Sequence, residues 1–329
     1  MPASAPTLDD VRAAARRIAP YVVRTPTLRA HRLEARLGGP RLWLKCENLQ
    51  RVGAFKARGA VHAALRLVER DRPPGLVTYS SGNHAQAVAY AGTIVGLPVT
   101  VAMPEDAPAI KVAGVRALGA EVIFAGTTSD ERRAAARSLA AKTGAAILEP
   151  FDDPDVVAGQ GTATAELEAA VREATGRAPD VLVVPVGGGG LAAGAAVAAA
   201  PNTRLVTAEP ATCDALARSV EAGRRVAVEP GPTLADGLKP VRVGALNFAL
   251  VAARAPLCRR VDDEAIGRAL VRLLRDEHLL VEPSAAAALA AALAGGFPPG
   301  TRDVAVLLSG GNVAPAVVAE LLRRYGAEP

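Results

Sequence analysis

Lysine is scarce in this chain of 329 residues and stands only at positions 45, 56, 111, 142 and 239, so chemistry that needs an amine has few candidates. Lys56 has the most informative surroundings. The segment Lys45-Cys-Glu-Asn-Leu-Gln-Arg-Val-Gly-Ala-Phe-Lys56-Ala-Arg-Gly-Ala60 reads as a loop containing Gly53 that ends in Phe55-Lys56, where a helix begins. A helix N-terminus carries positive potential, so a lysine there is misplaced unless another requirement puts it there. Positive potential and apolar neighbours favour the neutral amine, which is the form that attacks a carbonyl. Taken alone, the segment fits an ordinary surface lysine equally well.

Three further strand-to-helix junctions carry unusual residues. Val77-Thr-Tyr-Ser80-Ser81-Gly82-Asn83-His84-Ala85 ends a strand in two hydroxyls, a permissive glycine, an amide and an imidazole. Hydroxyls and backbone N–H groups at a helix start form a site for an anion such as a carboxylate. A mere N-cap needs one Ser or Asn rather than this cluster. His84 by itself is open between capping, packing and acid–base roles. In Val184-Pro-Val-Gly187-Gly188-Gly189-Gly190-Leu-Ala-Ala-Gly194, four glycines between an apolar strand and an Ala-rich helix let backbone amides approach a phosphate. A rival reading exists here. Gly187, Gly189 and Ala192 satisfy the pattern G-x-G-x-x-G/A, and Glu209 follows after a strand, as in a dinucleotide fingerprint. That reading predicts an NAD-dependent oxidoreductase and leaves Lys56 and Ser80–His84 unexplained. The fourth junction, Val304-Ala-Val-Leu-Leu-Ser309-Gly310-Gly311-Asn312-Val313, also ends a strand in a hydroxyl and glycines. In isolation it reads as a Gly-rich turn capping a helix.

The elements that must hold these junctions alternate. Runs of strand length at Leu42–Leu44, Leu76–Tyr79, Val99–Ala102, Val122–Phe124, Val181–Val186, Leu205–Ala208 and Val304–Leu308 are separated by helical segments such as Lys56–Arg70, Ala85–Val95, Ala107–Leu118, Ser129–Thr143 and Asp263–Glu277. The alternation predicts an α/β fold with two parallel-type open sheets flanked by helices. It divides into a large domain of residues 1–75 and 152–329 and a smaller inserted, mobile, substrate-side domain of residues 76–151. In such sheets ligands collect beyond the carboxyl ends of the strands. The chain is half apolar, which is ample for a core. Its net charge of +5 comes from basic residues interspersed with acids, as in Glu131-Arg132-Arg133 and Arg275-Asp276-Glu277, with no basic cluster interleaved with aromatics; no nucleic-acid partner is expected. Cys46, Cys213 and Cys258 are too widely spaced for a disulfide framework or a zinc site, which predicts a reducing compartment. The amino terminus has no signal-like segment, and the most apolar stretches, Leu191–Ala200 and Ala285–Ala294, are too short to span a bilayer. A cytoplasmic protein without a membrane partner is expected.

One ligand accounts for all four junctions: an aldehyde for the lysine, a phosphate for the glycines and a heteroaromatic ring between them. Pyridoxal phosphate has those parts. At this point the sequence resembles the threonine/serine dehydratase and serine racemase family of fold-type-II pyridoxal-phosphate enzymes, from Val23-Arg-Thr-Pro-Thr-Leu28 to about Val313. The resemblance implies that Lys56 carries the cofactor covalently and that Phe55 lies beside its ring. By the same resemblance Asn83 touches the 3-hydroxyl, Gly187, Gly188, Gly189 and Gly190 hold the phosphate, and Ser309 meets the pyridine nitrogen. It places Ala235-Asp-Gly237 beside the cofactor and Glu282-Pro-Ser284 near its ring nitrogen. Ser80, Ser81, Gly82, Asn83 and His84 would bind the substrate carboxylate, with Ser81 as the racemases' base on the face opposite Lys56. A divalent cation, magnesium or calcium, would use Glu209 and the Cys213 carbonyl.

There are departures from the family pattern. Val52 replaces a Thr, Glu149 stands where His often precedes the stretch Pro150-Phe151-Asp152, and Ala215 replaces the third cation ligand, with Asp214 one residue away. The chain ends soon after the Ser309 motif, leaving no room for a carboxy-terminal regulatory domain. The implied activity is dehydration of a β-hydroxy amino acid such as L-threonine or L-serine to a 2-oxo acid and ammonia; a serine in place of an aspartate at the ring nitrogen weakens the electron sink and favours prompt elimination. A homodimer is expected on the general prior for soluble oligomers. Amino-acid racemisation and hydroxyaspartate dehydration are the alternatives at the same site, and a non-catalytic amino-acid sensor is the alternative outside enzymes.

Overall fold

The computed structural model describes residues 5–80, 82–107 and 109–327, the side chain of residue 110 excepted. Among them ten strands occur: β1 (Thr27–Arg29), β2 (Arg41–Cys46), β3 (Leu76–Tyr79), β4 (Val99–Met103), β5 (Glu121–Phe124), β6 (Ala146–Ile147), β7 (Val181–Pro185), β8 (Arg204–Pro210), β9 (Leu257–Val261) and β10 (Asp303–Leu308). Six form a sheet in the order β1-β2-β10-β7-β8-β9 and four form another in the order β5-β4-β3-β6. Within both sheets every pairing is parallel except β1 with β2. The fold is therefore the expected α/β arrangement of two mostly parallel sheets flanked by helices. All seven apolar runs became strands. The short β1, β6 and β9 are additional, and β9 (Leu-Cys-Arg-Arg-Val) lies at a sheet edge where charged residues are tolerated.

Burial explains the composition of the central strands. Every residue of β7 and of β10 is buried, so side chains on both faces need an apolar cover. One face packs on Ala285–Ala292 and Ile266–Leu273, the other on Leu191–Ala196 and Val157–Val171. Local signals set the helix starts. Thr128 and Glu131 form a capping box for Ser129–Thr143, and Asp262 accepts from the Ala265 amide at 2.7 Å to begin Asp263–Asp276. Among the described residues no helix is long and apolar enough to cross a membrane.

The 22-residue helix Pro154–Thr175 ties the site together. Asp153 caps it, accepting from the Val156 amide at 2.9 Å, and Pro154 occupies its first turn. Its glycines touch two neighbours at backbone distance. A Cβ on Gly159 would lie 2.6 Å from Gly59 Cα, and one on Gly194 would lie 2.5 Å from Gly161 N. The helices that start at Lys56 and at Gly190 are thus seated against one rigid rod. The helix Lys56–Arg70 also packs Ala60, Val61 and Ala64 into the core of the four-stranded sheet, so it touches both sheets' surroundings.

Candidate active site

Because β2, β10 and β7 are consecutive and parallel, the loops after them leave from the same edge. Those loops carry Lys56, Ser309 and the four glycines. The first two are stitched together: Ala54 bridges Gly310, the Phe55 amide donates to the Ser309 carbonyl at 3.0 Å, and the Gly311 amide donates to the Gly53 carbonyl at 2.9 Å. Val52 and Gly53 both take left-handed backbone conformations, φ +54° and +71°, which turns the chain sharply before Lys56. Glycine suits position 53, where φ is left-handed and a Cβ would lie 2.5 Å from Asn312 Oδ1 and push that side chain aside.

Below this turn lies a buried ion cluster. Arg58 donates to both oxygens of Glu47 at 2.7 and 2.8 Å and to Glu166 at 2.8 Å; Lys45 donates to Glu166 at 2.6 Å and to the Thr25 carbonyl at 2.7 Å. Lys45 is therefore an ion-paired structural amine. Lys56 differs. Its Nζ donates to the Pro150 carbonyl at 2.7 Å and lies 5.2 Å from the centre of the Phe55 ring. Burial pushes its pKa down to about 8, against the pull of the Glu282 carboxylate. Such an amine has a substantial neutral fraction near pH 8 and can act as nucleophile or base.

The loop after β3 meets the same place from the other sheet. The Gly82 amide donates to Ser80 Oγ at 3.2 Å, and the helix Asn83–Val95 starts without a side-chain cap. Asn83 Nδ2 donates to both Glu282 oxygens at 2.9 and 3.0 Å, while Asn312 Nδ2 donates to Asn83 Oδ1 at 2.8 Å. Burial raises Glu282 to about 7, with Asn83 opposing the rise. His84 is buried, its Nε2 is 3.2 Å from the Leu148 carbonyl, and its Nδ1 has no partner among the described residues. Burial, then the nearby Lys56 charge, lowers its pKa to about 3, so the ring is neutral at ordinary pH. That favours a packing role over an acid–base one. Ser81 lies outside the described residues.

The glycine loop passes the test for a phosphate cradle. A Cβ on Gly187 would be 2.8 Å from the Gly237 carbonyl, and one on Gly188 would be 2.2 Å from the Phe151 ring. Gly189 has φ +92° and caps the helix Gly190–Ala198 with no side chain, so the first-turn amides have no side-chain cap. Asn247 fixes the loop from behind, donating to the carbonyls of Phe151 at 3.0 Å and Gly188 at 2.8 Å. Gly237 is held by Ser284, whose Oγ accepts its amide at 3.0 Å. An amine of lowered pKa with the Glu282 carboxylate acting on it, and an uncapped Gly-rich helix start, suit the aldehyde and the phosphate of pyridoxal phosphate.

The cation expectation fits less well. Glu209 accepts the amides of Leu216 and Ala217, each at 2.8 Å, one on each oxygen. Asp214 pairs with Arg218 and Arg260, both at 2.8 Å. Position 215 has no carboxylate, and among the described residues no group of three or more His, Cys, Asp or Glu could hold a metal ion. The residues present are a poor donor set for magnesium or calcium. The same two amides remove Glu209 from the ribose-binding role that the dinucleotide reading requires.

Asn247, Asn312 and the Pro150 carbonyl also belong to the site. Asn312 and Pro150 lie in stretches the sequence singles out and Asn247 does not, but the role of each comes from a contact made by distant parts of the chain. Residues 18–310 match the family model described as pyridoxal-phosphate dependent enzyme. An L-threo-3-hydroxyaspartate ammonia-lyase of Saccharomyces cerevisiae is 39% identical over 311 residues, covering 94% of this chain and 94% of that protein. The solved structure of a threonine deaminase from T.th. superposes with a TM-score of 0.87 at 45% identity, over 94% of this chain and 99% of that one. The maize serine racemase structure gives 0.90 at 35% identity, over 98% of each chain.

Proposed function

As the chain belongs to the family of pyridoxal-phosphate-dependent enzymes, we propose that it is an ammonia-lyase converting a β-hydroxy amino acid, such as L-threonine or L-serine, to a 2-oxo acid and ammonia. The observation that carries this reading is the Lys56 amine, lowered to about 8 by burial and stitched to the Ser309 loop at the sheet edge that also carries the glycine loop. When bound, pyridoxal phosphate supplies an electron sink for the pair left at the substrate α-carbon. Lys56 would hold the cofactor and then, as a free amine, take the α-proton. Amides of Gly187 to Gly190 would hold the phosphate, Phe55 would flank the ring, and Asn83, Gly237, Glu282 and Ser309 would line its polar edge. Ser80 to His84, at an uncapped helix start, would hold the substrate carboxylate. Water leaves across the α and β carbons and a water is regained when ammonia is released, so the net products are the 2-oxo acid and ammonium.

Racemisation at the same site is the second reading, favoured by the similarity to maize serine racemase. It needs a proton donor on the face opposite Lys56, for which Ser81 is the candidate. A panel of β-hydroxy amino acids assayed for ammonia and for D-isomer separates the two. Ser81→Ala should abolish D-isomer formation and leave dehydration reduced but measurable. An unmodified enzyme that makes D-serine faster than pyruvate would overturn the dehydratase reading. The reading extends to a cytoplasmic homodimer whose units are residues 1–75 with 152–329 and residues 76–151; three free cysteines support the compartment, and sedimentation tests the dimer.

A further inference from the structure

A line of hydrogen bonds runs from the turn before Lys56 to the buried carboxylate of Glu282. The Val52 carbonyl accepts from Asn312 Nδ2 at 2.8 Å, and the same Nδ2 donates to Asn83 Oδ1 at 2.8 Å. Asn83 Nδ2 then donates to both Glu282 oxygens, at 2.9 and 3.0 Å. A primary amide has an acceptor end and a donor end of nearly the same shape, so its partners decide which way it faces. Here both ends of the line only accept: a backbone carbonyl at one, a carboxylate at the other. The carbonyl requires the NH2 of Asn312, whose second hydrogen requires Oδ1 of Asn83, and the Asn83 NH2 is left toward Glu282. Turned over, Asn83 would set its carbonyl oxygen against the carboxylate and its NH2 against that of Asn312. The line joins separate loops: Val52 lies in the turn before Lys56, Asn83 follows β3 of the four-stranded sheet, and Asn312 follows β10.

We propose that Asn312 is a positioning residue: it fixes the Asn83 amide so that the NH2, and not the carbonyl oxygen, faces Glu282 and is the end offered to the cofactor's 3-oxygen. The inference rests on the cofactor reading, in which Asn83 touches that oxygen. An NH2 group has two hydrogens, and one shared between the Glu282 oxygens leaves the other for the cofactor. An N–H donor stabilises an anionic oxygen, whereas a carbonyl oxygen in its place repels one. The same donor holds Glu282 down against the rise that burial imposes. Asn312 acts through Asn83 and need touch neither cofactor nor substrate. Its own anchor is a main-chain carbonyl, so the arrangement does not depend on Val in place of Thr at position 52.

The test reads the ratio of visible to near-ultraviolet absorbance of the bound cofactor, which follows the charge on its 3-oxygen. Asn312→Asp has no donor for the Val52 carbonyl or for Asn83 Oδ1, and its carboxylate draws the Asn83 NH2 to itself. The ratio in the holoenzyme should fall about tenfold, as expected when a hydrogen bond to a charged oxygen is lost. Asn312→Ala leaves Asn83 held by Glu282 alone and should lower the ratio less. An added charge also acts directly, so Asn312→Asp is repeated in an Asn83→Ala background, where there is no amide to turn. There it should change the ratio by less than about twofold. A full drop in that background, no drop in Asn312→Asp alone, or an equal drop in Asn312→Ala overturns the proposal. If Asn83→Ala does not retain the cofactor, salt decides, because position 312 is exposed and a direct charge effect there is screened between about 0.01 and 1 M. A drop that persists across that range supports the proposal, and one that salt reverses overturns it. If Asn83→Ala keeps the cofactor with its ratio unchanged, the placement of Asn83 at the 3-oxygen has failed, and the proposal with it.

Discussion

The helices that follow β7 and β8 begin at the same edge of the six-stranded sheet, and their first turns are treated differently. The first turn of Ala215–Glu221 is closed from within, because the Glu209 carboxylate at the end of β8 accepts the amides of Leu216 and Ala217. The first turn of Gly190–Ala198 follows a left-handed glycine and has no side-chain cap and no acidic residue. A helix start must satisfy its amides with something. One junction uses the protein's own acid and needs no ligand. The other leaves its amides to a bound anion, and the amine that would hold the rest of that ligand lies across the edge at Lys56. An acid within reach, more than the helix start itself, separates a structural corner from a binding one.

The open side of this contrast depends most on Lys56. Lys56→Ala should eliminate the borohydride-fixed cofactor adduct and lower turnover by roughly 10²–10⁴-fold or more, with peptide mapping of the unmodified protein placing the adduct at Lys56 and none at Lys45. Cofactor incorporation into the apoprotein should speed up as pH rises, levelling above about 8, because the neutral amine is the attacking form. A rate that is flat with pH would mean that burial does not lower this amine.

A smaller effect is expected behind the glycine loop. Asn247→Ala removes two hydrogen bonds that hold Gly188 and Phe151 in place. Cofactor affinity, followed by the visible band, should fall about tenfold, and stability should fall by about 1 kcal/mol. Substitutions at the glycines discriminate less cleanly. A β-branched residue at Gly188 meets the Phe151 ring and one at Gly189 is strained at φ +92°, so both should cost folding stability as well as cofactor.

The closed side should respond in stability alone. Glu209→Gln retains one acceptor and sets its amide N–H group against a backbone donor, a loss of about 1–2 kcal/mol in denaturant unfolding with no change in cofactor affinity. Burial raises Glu209 to about 7, so between about 4.5 and 7 the folded state holds a proton that the unfolded state has released. The contribution of this group to stability therefore falls as pH rises through that window, and the pH slope should be lost in the variant. A decrease in cofactor binding instead would mean that the two corners are coupled. The smallest effect is none at all: EDTA, magnesium or calcium should leave melting temperature and turnover unchanged, since Glu209 and Asp214 are engaged by amides and arginines.

Much of this molecule could be read along the chain. Strands such as β7 and β10 are continuous apolar runs ending in glycines, and both faces of a parallel sheet are buried, so pattern and position agree. Ser80–His84 and Gly187–Gly190 stand out as clusters richer than a helix cap needs, whereas Lys56 and Ser309 are ordinary in isolation and become candidates only when the four junctions are taken together. The helix Pro154–Thr175 was harder to single out, since Gly159 and Gly161 weaken its helical signal for the sake of contacts with Gly59 and Gly194. Asn247 and Arg133 carry no local signal, and Asn312, though part of the Ser309 junction, shows nothing in sequence of its bonds to Asn83 and Val52.

The order of apolar runs and turn residues thus determined that parallel strands would deliver their loops to one edge, because a strand's direction and burial follow from its own residues and its neighbours in sequence. Tertiary structure decided which of those loops stay available to a ligand. Glu209 reads as a ribose or cation ligand until the chain brings Leu216 and Ala217 onto its two oxygens. Glu149 reads as a substituted histidine until the fold brings onto its carboxylate the Tyr79 hydroxyl, which itself accepts from Arg133. Hydrogen-bond partners and desolvation are properties of position in space, and residues far apart in the chain supply both.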